Sequence, residues 1–598
     1  MPKLLNPEHS SLAAHDASEP ATESKGADKT PYQLWLVLTL IVLASFAVRI
    51  AALVHWGTGA IESEGAEYTR IAQNLRNGVG YVGIVSAGPQ VVFPPLFPLL
   101  IAAASFLIHN FEWAGRMVSL ILGGLLPLPV FGIASRLFNR RVGLIAAALV
   151  VLHPVLVNLS FAVLSEAPYT TLFLVAAYAV VRALDHPSTR SWFLVGAAFG
   201  LAYLTRQEAT AALAISVLFG FLVAKAGIAV KCKRAAAALA MFFVLALPEV
   251  MFIYGATGKV LLEGKSTQFF ALGERILAAE KSSELPSPNG ELDAPSSAPD
   301  VASWEPWQTK WAFYGIDANL NMTGVAMRPQ AQVVRETHIA PKQLLGFLAK
   351  GIRLAIPNLL ETFSQKWFGA PLLPALALLG AFGRPWRGPR ASTRLFVLLV
   401  SVAPVIATFS AFWTQTRYYF VVVPFLLIWA ANGLYEIGLW AQESSAAAGW
   451  RIVASPAVSQ VVIPALIGLL VVVTPLKAIR SPQFIFAEGS PSNQVKKELG
   501  LWIGHQQKGP VRLIDLGIPV AFHANALWVK FPYCSADVAL RFLDASNVDY
   551  VVLRRGSTFT KYYQSWIAQG IPNSRAELLH ISPSVDAQYV VYRWHPAS

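Results

Sequence analysis

Four short clusters of acidic, guanidinium and phenolic side chains stand at the edges of apolar runs in this 598-residue sequence. The first is Glu62-Ser63-Glu64-Gly65-Ala66-Glu67-Tyr68, the second Leu164-Ser165-Glu166-Ala167-Pro168. The third is Tyr203-Leu204-Thr205-Arg206-Gln207-Glu208, the fourth Gln415-Thr416-Arg417-Tyr418-Tyr419. Carboxylates in such places can act as general bases, and arginines can hold a phosphate through two parallel hydrogen bonds. Plainer readings exist for the first three: a solvated helix start for the glutamates, interfacial solvation for Glu166, and a structural ion pair for Arg206 and Glu208.

The first cluster predicts its own helix. Ser63 is placed to cap it, and Glu64 and Glu67 in the first turn favour the positive end of the helix dipole. Tyr68, Ile71, Ala72 and Leu75 form one apolar stripe, and Asn77-Gly78 ends the helix. The expectation is a short helix on the outer surface, acidic at its start.

The elements that must position these clusters are membrane spans. Hydrophobic residues make up 55% of the chain and charged residues 14%, against roughly 25% charged in soluble domains. Runs such as Trp35–Val48 and Val458–Val473 approach the ~20 residues needed to cross ~30 Å of hydrocarbon. About eleven spans are expected: 33–55, 113–137, 142–160, 166–184, 191–205, 209–225, 235–256, 366–383, 394–413, 418–440 and 457–476. The polar first 32 residues read as a cytoplasmic tail without a secretory signal, and the first apolar run as a retained span.

Loops after even-numbered spans carry Arg136, Arg140, Arg141, then Arg190, then Lys225, Lys231, Lys233, Arg234, then Arg384, Arg387, Arg390, Arg394. The positive-inside bias puts the N-terminus in the cytoplasm and the C-terminal region outside a plasma (inner) membrane. The net charge of +13 is thereby read as orientation, and nucleic acid is excluded as a partner. Cys232 and Cys534 are too few for a disulfide framework or a Cys-based metal site, and no HxxH or HExxH spacing is present. No cofactor or metal is called for.

Three segments fall outside: 56–112, 257–365 and 480–598. Within the first, Pro94–Ile108 reads as a re-entrant or interfacial helix. Within the second, Leu285–Ser303 reads as mobile, Gln343–Phe368 as an amphipathic surface helix, and Trp304, Trp307, Trp311 and Tyr314 as interfacial anchors. In the third, helix-like stretches (Asn493–Gln506, Ala536–Asn547, Phe559–Gln569) alternate with β-rich runs (Val511–Leu516, Asp549–Leu553, Tyr589–Trp594). The fold class expected is therefore a polytopic α-helical membrane unit over 33–479, with a C-terminal mixed α/β domain over 480–598.

On this topology all four clusters meet one face. A substrate with a phosphate at the interface and a tail in the bilayer is a polyprenyl phosphate, and a base opposite a phosphate leaving group suits glycosyl transfer.

Order and spacing add a resemblance. The chain is similar to GT-C class membrane glycosyltransferases, in particular the family 39-like group of aminoarabinose and protein mannosyltransferases. The motifs are Glu64 four places before Tyr68, Ile71-Ala72-Gln73-Asn74-Leu75, Gly78-Val79-Gly80-Tyr81 and Pro94-Pro95-Leu96-Phe97-Pro98. Further on, the second and third clusters and Arg417-Tyr418-Tyr419 through Pro424 match the family's later motifs. Two departures stand out: Glu64-Gly65 where Asp, often followed by Glu, is common, and Gln207 where Pro is common.

The resemblance implies an inverting transfer from a polyprenyl-phosphate-linked sugar to a hydroxyl of a lipid, glycan or protein acceptor. Glu64 is then the base, Glu166 a second catalytic carboxylate, and Tyr68, Arg206, Glu208, Arg417 and Tyr418 bind substrate. A transporter or flippase is the rival class, which would carry paired repeats with broken helices at midplane.

Overall fold

The structure is a computed structural model that describes residues 31–281, 307–339, 371–408, 416–479 and 491–595, apart from short internal gaps, with scattered residues over 345–360. The expected mobile stretch 285–303 lies outside the described residues, as do most of 343–368, Glu62 and Trp304.

Over their described residues the segments expected to span are helical, several of them divided near a proline. The first helix, α1 (Pro31–Trp56), is followed by the short α2 (Ser63–Arg76) and α3 (Leu96–Ala104). The segment 113–137 is α4 (Phe111–Leu125) plus α5 (Pro127–Leu137), and 142–160 is α6 (Arg140–Leu152) plus α7 (Pro154–Leu159). Next come α8 (Glu166–Asp185), α9 (Thr189–Tyr203), α10 (Ala209–Val223), α11 (Ile228–Thr257) and α12 (Lys265–Lys281).

Among the described residues five helical stretches are long and apolar enough to cross a membrane: Tyr32–Trp56, Phe111–Leu137, Glu166–Asp185, Ile228–Thr257 and Arg417–Ala447. Three shorter apolar helices, Ala209–Val223, Leu372–Phe382 and Val458–Val473, accompany them. The chain is an integral membrane protein by these helices; eleven crossings stay an expectation.

The break at Pro154 matters for the site. Proline has no N–H to give, so carbonyls at the end of α6 lose helical partners. Fully buried Arg49 of α1 reaches them, with Nη2 to Val150 O and Nη1 to Val151 O at 3.5 Å each. The same guanidinium donates to Ser160 Oγ at 3.0 Å and to Ser45 Oγ at 2.7 Å. Beyond the break, the chain from His153 to Thr170 is buried throughout. Arg116, itself buried beside Glu112 at 2.9 Å, donates to Phe161 O and Gly59 O at 3.2 Å. Two arginines thus satisfy an irregular backbone inside the bundle, which a membrane interior requires.

Helix α2 corrects the first expectation. It does not lie on the surface: Gly65 through Thr69, Ile71 and Ala72 are buried. It packs on α3 and α4 and beneath the helix Ile518–His523 of the C-terminal region. Ser63 is its first residue and not its cap. Gly78, at φ +74°, ends it in the left-handed conformation glycine tolerates.

The C-terminal region forms a five-stranded sheet in the order β2-β1-β3-β5-β4, with β1 (Arg512–Asp515), β2 (Leu527–Lys530), β3 (Tyr550–Arg554), β4 (Ala576–Ile581) and β5 (Tyr589–Trp594). Strands β2, β1 and β3 are parallel, while β5 is antiparallel to both neighbours. Successive residues point to opposite faces. Tyr550, Val552, Tyr589 and Val591 pack with Leu499 and Ile503 on one side. Val551, Leu553, Val590 and Tyr592 pack with Phe542, Tyr563 and Trp566 on the other. Burial on both faces explains why Tyr550–Leu553 reads as an unbroken apolar run. The three β-rich runs and three helical stretches anticipated are present; β2, β4 and Ile518–His523 are additional.

This sheet is docked on the rest. Ala60 N–H donates to Asn493 O at 3.2 Å, Lys497 pairs with Glu112 at 3.1 Å, and Tyr533 N–H donates to Tyr314 O at 2.8 Å. Trp311 and Tyr314 pack against the sheet's helical layer.

Candidate active site

Five separate stretches deliver the site. The first turn of α2 presents Glu64 and, one turn on, Tyr68. The buried passage after α7 ends at Ser165, with Glu166 opening α8. The tight link from α9 to α10 holds Arg206, Gln207 and Glu208. Lys265 opens α12, and a 3₁₀ turn over Thr416–Val422 carries Arg417 and Tyr418.

These groups form one ionic net. Arg417 Nη2 donates to Glu64 Oε1, and Arg417 Nε lies 3.7 Å from Glu166 Oε1. Arg206 Nη1 meets the same Glu166 oxygen at 2.9 Å, and Arg206 Nη2 meets Glu208 Oε1 at 3.0 Å. Lys265 Nζ approaches Glu208 at 3.7 Å. The Tyr418 ring lies 5.0 Å from both Arg206 and Lys265 and 5.6 Å from Arg417, a cation–π arrangement. Tyr68 and Ser165 bond through their hydroxyls at 3.1 Å. Three carboxylates (Glu64, Glu166, Glu208) thus face three cations (Arg206, Arg417, Lys265), so the net is close to neutral.

Burial disfavours each of these charges, and pairing outweighs it. Against burial, Arg417, Lys265 and Arg206 hold Glu64 below its usual range. Glu208, likewise buried, is lowered to about 2 by Arg206 and Lys265. Lys265 is raised despite burial, by Tyr418 and Glu208, and Arg206 is raised by Glu208 and Glu166.

Above the net is a cavity of about 310 Å³. Glu64, Tyr68, Arg206, Glu208, Lys265 and Tyr418 line it from the helical unit, and Leu516, Gly517, Ile518, Trp528 and Lys530 line it from the C-terminal region. Phe93, Pro94, Phe313 and Tyr314 line it as well. Glu166 and Arg417 lie behind this wall, around a small recess shared with Tyr169 and Thr170. All seven residues singled out from the sequence come together, five on the cavity and two at its back. Glu166 therefore grips both guanidinium groups from the rear.

Glu67, three residues from Glu64, has a different task. Its carboxylate accepts from Ile84 N–H at 2.6 Å, Val85 N–H at 2.8 Å and the Gln90 amide, tying down the loop after α2. Gly83 sits so close that a Cβ there would meet the carboxylate at 1.8 Å. Gly65 is equally constrained: its Cβ would lie 2.6 Å from Val163 O. The residue after Glu64 is glycine because α2 rests directly on the buried passage leading to Glu166.

Sequence reasoning passed over Lys265, Trp528 and Lys530. Lys265 had a weak signal, one of two lysines, with Lys259, just after a span on the face poor in positive charge. The other two had none, because only the sheet brings them here. Among the described residues no group of three or more His, Cys, Asp or Glu side chains could hold a metal ion.

Residues 92–254 match the family model of dolichyl-phosphate-mannose-protein mannosyltransferases, a stretch that holds Glu166, Arg206 and Glu208. No curated protein matches the sequence. Among solved structures, ArnT from Cupriavidus metallidurans bound to undecaprenyl phosphate is similar over 94% of this chain and 98% of its own, at 13% identity and a TM-score of 0.53. The chain has the GT-C fold. The apo oligosaccharyltransferase of Archaeoglobus fulgidus shares this GT-C fold over 88% of this chain and 70% of its own, at 14% identity and a TM-score of 0.52. The archaeal oligosaccharyltransferase AglB in complex with an inhibitory peptide and a dolichol-phosphate does so over 87% and 69%, at 14% and 0.50. At these identities the likeness is one of GT-C fold.

Proposed function

We propose that this protein is an inverting glycosyltransferase, moving a sugar from a polyprenyl-phosphate carrier to an acceptor hydroxyl at the outer face of the membrane. The observation that carries this reading is the Glu64–Arg417–Glu166–Arg206 net beside a cavity walled by both membrane helices and sheet. Support for the carrier comes from two neighbours in fold, bound to undecaprenyl phosphate and to a dolichol-phosphate.

The carrier phosphate lies against Arg206 and Lys265, with Tyr418 beneath. Its charge draws on Arg206 and Lys265, which also act on Glu64, so donor binding loosens the net and restores basicity to the carboxylate. Glu64 then takes the proton of the acceptor hydroxyl as that oxygen attacks the anomeric carbon. The bond from anomeric carbon to phosphate oxygen breaks, and its electron pair leaves with the polyprenyl phosphate. One displacement inverts the anomeric centre. The cations stabilise charge that grows on the leaving phosphate, where such contacts lower the barrier. Glu166 and Glu208 position the arginines, and Tyr68 lines the sugar's place. The N-terminus is cytoplasmic and the 480–598 region extracytoplasmic on this reading.

The test is sugar transfer from a lipid-linked donor in proteoliposomes, comparing wild type with Glu64→Gln. The substitution keeps shape and removes the base. Undiminished turnover by Glu64→Gln, or movement of donor across the bilayer without transfer, would overturn the assignment.

A further inference from the structure

The parallel part of the sheet, β2-β1-β3, has β1 flanked on both sides by strands reached through crossovers in opposite directions. Ligands of such sheets bind outside the carboxyl ends of the strands, where the order reverses. Here that edge meets the cavity: Leu516-Gly517-Ile518 follow β1, and Trp528 and Lys530 lie on β2, all lining the cavity that Glu64 also lines.

Lys530 differs from the other cations of the cavity. Arg206, Arg417 and Lys265 are paired with carboxylates, whereas Lys530 has no carboxylate within ion-pair distance among the described residues. Its Nζ donates to Ala326 O and lies 5.5 Å from the Trp528 ring centroid. Glu67 acts on it from farther away, and the Glu67 oxygens already accept three N–H donors. Lys530 thus brings to the cavity an ammonium that no carboxylate among the described residues meets at ion-pair distance. Burial lowers it to about 8, the mark of an ammonium lacking a close counter-ion.

We infer that Trp528 and Lys530 form an acceptor subsite for a saccharide carrying a carboxylate. This rests on the glycosyltransferase reading for the word acceptor: the donor's phosphate, and the sugar bonded to it, belong beside Arg206 and Lys265. One ammonium with donors left after Ala326 balances one negative charge and meets a two-oxygen group. A phosphate monoester carries roughly −1.5 to −2 near neutral pH and is better matched by paired guanidinium groups. An indole beside the ammonium offers the flat apolar surface on which a pyranose ring rests.

The experiment uses the full chain in lipid nanodiscs and ligand-observed NMR, with methyl glucuronide, methyl glucoside and glucose 1-phosphate as probes, with and without undecaprenyl phosphate. The expected result is that glucuronide binds about tenfold or more better than glucoside, as a charge-assisted hydrogen bond provides. Undecaprenyl phosphate leaves that binding in place, Lys530→Met removes the preference, and Lys530→Arg keeps it. Retained undecaprenyl phosphate binding shows that Lys530→Met is folded. Equal binding of glucuronide and glucoside, tighter binding of glucose 1-phosphate, displacement by undecaprenyl phosphate, or an unaltered preference in Lys530→Met would each overturn the subsite. Glucuronide behaving as expected while undecaprenyl phosphate fails to bind would support the subsite and count against the carrier alone.

Discussion

Arg417 and Glu64 are ion-paired although 353 residues separate them in the chain. The pair joins the opening turn of α2 to a 3₁₀ turn that leads into a late membrane helix. A carboxylate so held is a weak base at rest and a stronger one once an anion draws on the cations around it.

The pH dependence of transfer follows from that pair. Glu64 is held below the usual carboxylate range, so the acid limb of kcat/KM should fall below the ~4.3 of a free glutamate. Arg417→Met removes the nearest positive charge and raises the proton affinity of Glu64. Its acid limb should move to higher pH, together with a lower plateau. A limb that stays in place in Arg417→Met would separate Glu64 from the proton transfer.

Gly65→Ala tests the close approach of α2 to the buried passage. Its methyl would lie 2.6 Å from Val163 O, so helix or passage must shift. Overpacking of this kind costs about 1–3 kcal/mol, read as a lower unfolding temperature in detergent. Because the shift separates Glu64 from Glu166 and Tyr68 from Ser165, turnover should fall by more than carrier binding does.

Arg49→Met should destabilise the bundle without touching the cavity. It leaves carbonyls at Val150 and Val151 and the Ser160 hydroxyl short of a donor. Each buried group left unpaired costs about 1–3 kcal/mol. Thermal unfolding in nanodiscs should show the loss, and Arg49→Lys should recover part of it.

Asp515 gives a pH-linked stability term in the sheet. Burial raises it to about 7, against hydrogen bonds from Gly517 and Leu516. From about pH 4 to 7 the unfolded chain gives up this proton while the folded chain keeps it. The unfolded state then binds fewer protons, so stability falls as pH rises, by at most about 1.4 kcal/mol per pH unit. The stabilising proton is fully held at the acid end and lost through pH 7. Asp515→Asn should abolish this slope, measured as hydrogen exchange of β1 and β3 between pH 4 and 8. An identical slope in the variant would assign it to another group.

Much of this protein was determined by sequence alone, because those features are local. Apolar runs of membrane length, sparse charges gathered at their edges, and the loop bias in arginine and lysine are properties of neighbouring residues. So are the continuous apolar runs along Tyr550–Leu553 and Tyr589–Tyr592, as strands buried on both faces present. The clusters around Glu64, Glu166, Arg206 and Arg417 were legible because an ionisable group beside hydrocarbon needs a reason.

Tertiary structure decided what each of those groups does. Glu64 and Glu67 share one turn of helix, yet one meets Arg417 and the other three N–H donors of its own loop. Glu166 stands behind two arginines and not in the cavity. Gly65 is explained by Val163, nearly a hundred residues on, and Lys530 belongs to the site only because β2 is docked above α2. Periodicity tells which face of a helix or strand is apolar; the partner that face meets depends on how distant segments pack, and a charge takes its role from the nearest opposite charge in space.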